Sequence, residues 1–195
     1  MYYICKILRE FFGLFGEQNF MYKAFQNIIN KHPRTKIKRI LSKAEPFYEY
    51  FMAYMRFKQH YGIIIPAEAA LNGNHYEYVR IKVGDIKREW QGKVYSLKEV
   101  SPYKYLETKN KKIYEEYIKK LSDAGICSLN NIFWNVKDFD NLLKSIQKNG
   151  YDPKISVICV NGDNMIIDGQ HRACCLLYLY GEDYEVNVVK VTNRP

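Results

Sequence analysis

The stretch that most restricts this chain runs from Ile155 to Tyr180, where the apolar pattern changes period and glycines mark the joints. Ile155 to Val160 is short and β-branched, which predicts a buried strand. Asn161-Gly162 is a hairpin signal, and Met165-Ile166-Ile167 supplies the return strand. Asp168-Gly169 then turns the chain into a predicted helix from Gln170 to Tyr180, with Ala173, Leu176, Leu177 and Tyr180 on its inward face and Gly181 as its stop. A strand, a glycine and a helix start in that order leave backbone N–H groups without intrahelical partners. The positive end of the helix dipole lies beside a residue with no Cβ, so an anion can approach the backbone closely. Arg172 adds a planar fork of donors suited to phosphate oxygens. His171 adds a donor whose charge is expected to change near neutral pH.

Each of these residues also has a purely structural use. Asp168 caps a helix start well, His171 suits a satisfied buried position, and Arg172 can pair with a carboxylate. Beside a phosphate, Asp168 would repel unless a metal lay between them. It would then hold Mg²⁺, or take the proton of a hydroxyl that attacks a phosphoryl group.

The rest of the chain frames this segment. Its 195 residues suffice for one domain with a core and a helical extension. Apolar residues recur at helical spacing over 3–15, over 20–30 and from Lys36 to about Tyr61, while Lys36, Lys38, Arg39, Lys43, Arg56 and Lys58 mark an opposite, basic face. Residues 1–61 hold 11 Lys/Arg against 4 Asp/Glu, whereas 62–195 hold 19 against 17. The basic character therefore belongs to the first third, and the expected division is a basic amphipathic helical segment, 1–61, before a domain over 62–195. A solvated basic face is the plainer reading of 1–61, and contact with an anionic membrane surface or an acidic protein is the sharper one. The near-neutral remainder argues against a DNA-binding surface.

Residues 62–110 look irregular, apart from an alternating strand over Tyr76 to Val83, with Val79, Ile81 and Val83 facing in, and a short strand at Val94 to Leu97. Ser101-Pro102 predicts a turn. Helices are expected over 113–121 and 139–146, the second capped by Asp138 and stopped at Asn149-Gly150, and a last strand over 184–191. The five cysteines are odd in number and lack zinc-ligand spacing, so they are expected to be reduced. With no signal-peptide pattern at Met1, the expectation is a cytoplasmic protein, peripheral to the inner face of the membrane if 1–61 binds lipid.

Residues 139–191, FDNLLKSIQKNGYDPKISVICVNGDNMIIDGQHRACCLLYLYGEDYEVNVVKV, resemble the core of the ParB/sulfiredoxin superfamily in order of elements and in the Asp-Gly-x-His-Arg motif. The resemblance implies an α+β fold, a small mixed sheet with helices, that binds ATP, ADP or CTP with Mg²⁺. It implies that Gly169, Gln170, His171 and Arg172 cradle phosphates. Residues 97–105, LKEVSPYKY, resemble the early strand and proline-containing loop of the family, which would bring Pro102, Tyr103 and Lys104 over the nucleotide.

The departures are informative. Gln170 stands where sulfiredoxins carry their catalytic cysteine, which argues against sulfinate repair. The partitioning proteins have two adjacent arginines in the motif and a following helix-turn-helix, neither of which is seen here. The motif is more similar to that of the small-molecule kinases of the superfamily, whose aspartate helps to activate an acceptor hydroxyl, and Asp168 matches that position. The expected function is thus an ATP- or ADP-dependent phosphotransferase with Mg²⁺, acting on the hydroxyl of a small molecule or glycan-related acceptor. Asp168 and His171 are its catalytic candidates, and Glu99 and Glu107 are candidates for a further acid. A nucleotide-binding switch without catalysis and a nucleic-acid-binding or nuclease module are the alternatives.

Overall fold

The computed structural model describes residues 53–66, 68–69, 72–123 and 135–193. The chain divides into two compact units, 1–48 and 49–195, and all of the described residues fall in the second. The helices expected over 3–15, 20–30 and from Lys36 lie outside the described residues, apart from a final helical stretch, α1, seen over 53–61.

The described unit is α+β, with a mixed four-stranded sheet. Strand β1 (His75–Lys82) is followed by β2 (Lys87–Trp90), β3 (Lys93–Ser96), α2 (Ser101–Thr108), α3 (Lys111–Asp123), α4 (Val136–Asn149), β4 (Ile158–Asn161), β5 (Ile166–Asp168), α5 (Gln170–Tyr180) and β6 (Glu185–Thr192). The sheet order is β1-β6-β4-β5. Strand β6 runs antiparallel to β1 and parallel to β4, and β4 forms an antiparallel hairpin with β5. The remaining two strands, β2 and β3, form a separate antiparallel ribbon.

Alternation along the strands gives the sheet two apolar faces. Ile158, Val160, Ile166, Val186 and Val188 point to one side, under Leu106, Tyr114, Phe139 and the Ala173–Leu177 stretch of the helices. Cys159, Val189, Val191 and Tyr76 point to the other, where Ala53 and Phe57 of α1 join Ile63, Ile65 and Ala69. Helix α1 therefore packs on the same sheet as the rest of the unit, and the division falls nearer residue 48 than residue 61.

Helix α5 follows the sequence expectation closely, from Gln170 to a stop at Gly181. Its face differs at one end, because Tyr180 is exposed and stacks on Tyr184 at 4.6 Å instead of turning inward. In helix α4 the N-cap is Asn135, whose side chain accepts from the Asp138 N–H at 3.0 Å, so Asp138 is the reciprocal member of a capping box and not the cap. Strand β4 begins at Ile158, later than the apolar run suggested, and Ile155 is 85% exposed. The Ile158 N–H is fixed by donation to the Tyr151 hydroxyl at 2.8 Å.

The predicted turn at Ser101-Pro102 is instead the first turn of α2. Proline is tolerated there because a first-turn N–H has no intrahelical partner to lose. Strand β2 was not legible at all. Residues 87–90, KREW, lack apolar alternation, and the ribbon is made by the two-residue turn Gln91-Gly92, both with positive φ (53° and 73°).

The two ends of the apolar run separate cleanly by mutation. Ile158→Ala, in the core, should lower the unfolding free energy by about 2–5 kcal/mol. Ile155→Ala should change it by no more than about 0.5 kcal/mol, as measured by denaturant titration.

Candidate functional site

The chain reverses from β5 into α5 at Gly169, with φ 92° and ψ 20°. Two constraints exclude a side chain here. The left-handed backbone disfavours one, and an added Cβ would lie 3.0 Å from Arg172 Nη2 and 3.1 Å from Ile158 Cα of β4. No side chain caps the first turn of α5. A cleft of about 180 Å³ opens there, lined by Asp168, Gly169, Gln170, His171 and Arg172 together with Ile166, Ile167, Arg88, Tyr117 and Leu121.

Asp168 and Arg172 are joined. Asp168 Oδ2 accepts from Arg172 Nη2 at 2.8 Å, and the same nitrogen donates to the Val157 carbonyl at 3.2 Å. Arg172 Nε is buried without a hydrogen-bond partner among the described residues. The arginine side chain is 15% exposed and the aspartate 44%, so the carboxylate reaches the mouth of the cleft while the guanidinium is tucked beneath it.

His171 sits among aromatic rings. Its ring lies edge-on to Phe139 at 4.9 Å, to Tyr114 at 5.7 Å and to Tyr117 at 6.2 Å. Its Nε2 is 3.0 Å from the Tyr114 hydroxyl. Burial, reinforced by the neighbouring Arg172 charge, pushes the imidazole down to about 3. Burial also holds the Tyr114 phenol far above its usual range, so that hydroxyl keeps its proton. The expectation that His171 changes charge near neutral pH is therefore corrected: the ring is neutral there and is a weak base. Its enclosure by residues of α3 and α4 is the reason.

Gln170 is buried, and its Nε2 donates to the Tyr117 hydroxyl at 3.4 Å. Burial raises the Tyr117 phenol to about 12, with Arg88 and Gln170 pulling the other way.

The other residues expected at the site are elsewhere. Pro102 is buried in α2, Tyr103 packs partly against the core, and Lys104 is exposed; none of them lines the cleft. The reason is the helix that replaces the expected loop. Glu99 closes a capping box, accepting from Ser96 N and Oγ, each at 2.8 Å, and these bonds lower its pKa. Glu107 is exposed on α2, and neither glutamate lines the cleft. Asp168 is the one carboxylate among the lining residues, and the described residues include no group of three or more His, Cys, Asp or Glu placed to hold a metal ion.

Arg88 and Tyr117 are the polar lining residues that sequence reasoning missed, beside the apolar Leu121, Ile166 and Ile167. Tyr117 belongs to a legible helical stripe, but its position over Gln170 depends on how α3 packs. Arg88 is brought in by the ribbon, whose Lys87 N–H donates to the Asn164 carbonyl at 3.0 Å and whose first residue bridges to Met165. The Gln91-Gly92 pair was the local signal for that ribbon.

Comparison with known proteins gave no matching family model, no matching curated protein and no matching solved structure.

The neutral state of His171 has a pH signature. A histidine depressed in the folded state contributes stability above its unfolded pKa of about 6.5, and that contribution is lost as pH falls toward about 3. His171→Gln, which keeps a partner for Tyr114, should flatten the loss of stability between those pH values, as followed by denaturant titration in steps of pH. An imidazole that titrates by NMR near pH 6.5 in the folded wild type would contradict the assignment.

Proposed function

We propose that the cleft at the start of α5 binds the phosphates of a nucleoside di- or triphosphate, and that the protein uses it to transfer a phosphoryl group to a hydroxyl acceptor. The observation that carries this reading is the convergence of an uncapped helix start, a glycine with no room for a side chain, two arginines and a single carboxylate on one small cleft. The resemblance of residues 139–191 to the ParB/sulfiredoxin superfamily supports it, and so does the element order from α4 to β6. Sites that enclose drug-sized ligands run to roughly 300–1,000 Å³. A cleft of about 180 Å³ thus suits the phosphate end of a ligand, with its nucleoside outside these walls.

Asp168 would carry the acid–base step. Its Oδ2 is committed to Arg172, which leaves Oδ1 to take the proton of an acceptor hydroxyl. The hydroxyl oxygen then bonds to the terminal phosphorus as the bond from that phosphorus to the bridging oxygen breaks, and the shortened nucleotide leaves with the electron pair. Mg²⁺, when bound, would neutralise charge on the phosphate oxygens. Asp168 is the one carboxylate among the lining residues that would hold it, and its free oxygen would then serve the metal in place of the acceptor proton. The folded role of His171 in this scheme is to brace Tyr114 and the start of α5, not to carry protons.

Binding without transfer is the second reading. The commitment of Asp168 to Arg172 and the lack of another carboxylate among the lining residues favour it. Ligand binding at Gly169 would then act on whatever partner residues 1–61 engage, a membrane surface or an acidic protein in a cytoplasmic setting. Among the described residues, no helix is long and apolar enough to cross a membrane.

Thermal unfolding with ATP, ADP, CTP and GTP, with and without Mg²⁺, tests the site, since a ligand that binds only the native state raises the midpoint by mass action. One nucleotide is expected to raise it, by about 2.7 kcal/mol of added stability at a hundred times its Kd. Asp168→Asn should keep that shift and lose turnover. A shift in both proteins with turnover in neither selects the switch reading, and no shift with any nucleotide removes both.

A further inference from the structure

The two arginines at the cleft are not equivalent. Arg172 is committed on the protein side through one nitrogen: Nη2 serves both Asp168 and the Val157 carbonyl, while Nε is buried without a hydrogen-bond partner among the described residues. Its charge is offset by the aspartate beside it. Arg88 lines the same cleft, yet it takes part in none of the ion pairs or side-chain hydrogen bonds among the described residues. Its guanidinium lies 5.9 Å from the centre of the Trp90 ring, and it is only partly exposed.

A partly buried guanidinium that has no carboxylate partner among the described residues is costly unless something else satisfies it. Trp90 offers its ring face, which attracts the cation without occupying the N–H fork. Among the described residues, the donors of Arg88 are therefore left for a ligand. The lining residues contain two guanidinium groups against one carboxylate, so the cleft carries an excess of positive charge that selects anions. The position of Arg88 is secured by the backbone: the tight turn at Gln91-Gly92 fixes the ribbon, and the Lys87 bond to Asn164 anchors it one residue away from Arg88.

We infer that Arg88, carried by the β2–β3 ribbon, is the guanidinium that grips the phosphoryl or pyrophosphoryl group of the ligand, while Arg172 is a positioning residue that fixes Asp168 and the end of β5. This inference rests on the phosphate-binding reading above and divides its labour. The ribbon is a ligand-reading element, and α5 is the platform on which the ligand sits. A fork-like contact through Arg88 also favours a phosphate, with oxygens that match its planar donors, over a point contact that a lysine would make as well.

The test is calorimetric titration of the full chain with inorganic pyrophosphate and with ADP, for the wild type, Arg88→Ala, Arg88→Lys and Arg172→Gln, with ligand-free thermal midpoints in parallel. Arg88→Ala should weaken both ligands by about ten- to a hundredfold, the usual loss for a hydrogen bond to a charged group. Its ligand-free midpoint should stay within about 2 °C of wild type, because among the described residues the loss is confined to the Trp90 ring contact, with no ion pair or side-chain hydrogen bond broken. Arg88→Lys should recover part of the affinity. Arg172→Gln should lower the ligand-free midpoint and, below that midpoint, bind more tightly than Arg88→Ala. If Arg88→Ala itself lowers the ligand-free midpoint, Arg88→Lys decides: wild-type affinity in that variant overturns the bidentate role. Wild-type affinity in Arg88→Ala overturns the inference and leaves the cleft intact as a site. Absence of binding of either ligand to the wild type overturns the phosphate reading and the inference together.

Discussion

The reversal at Gly169 is the constraint on which the site depends. Strand β5 must end against β4, and helix α5 must begin at once, with Ile158 Cα close enough to leave no space for a Cβ. A left-handed residue satisfies the turn, and only glycine adopts that conformation without strain. Arg172 then folds back over the joint and ties the last residue of β5 to the carbonyl of Val157, just before β4. Removing that clamp would leave a buried carbonyl and a half-exposed carboxylate without their shared donor, which is why the arginine has structural weight independent of any ligand.

The sheet is what holds the joint still. Because β4 and β6 bury both faces, a shift of either strand by one residue would exchange the helix-covered side chains with those under α1. The position of Gly169 therefore inherits the register of the whole sheet. On the helix side, Tyr114, Tyr117 and Phe139 close round His171. The same packing that fixes the ring limits its contact with water, and together with the neighbouring Arg172 charge it lowers the basicity of the imidazole. Rigidity and acid–base chemistry compete at this residue, and rigidity prevails.

The sequence signals that succeeded are local ones. Helix α5 was legible from its 3–4 spacing and its flanking glycines, and β6 from its alternating valines, because both patterns depend on neighbours within a turn or a pleat. Those that failed depend on context. Pro102 marks a turn or a helix start equally well, and the packing of Tyr105 and Leu106 into the core chose the helix. The charged KREW segment became a strand only through its pairing with residues 93–96 and its bridge to Met165.

By itself the sequence determined the α+β class, the elements from α4 to β6 and the place of Gly169 to Arg172 at the start of a helix. Periodicity and backbone preference act over a few residues, so a single chain segment contains all that they need. Only the tertiary structure decided that Arg172 Nη2 is shared between Asp168 and Val157, that the basicity of His171 is lowered, that residues 102–104 are not among the cleft lining and that Arg88 is. Each of those outcomes is set by desolvation and by contacts between residues far apart in the chain. Neither quantity exists until the sheet has brought its strands and helices together.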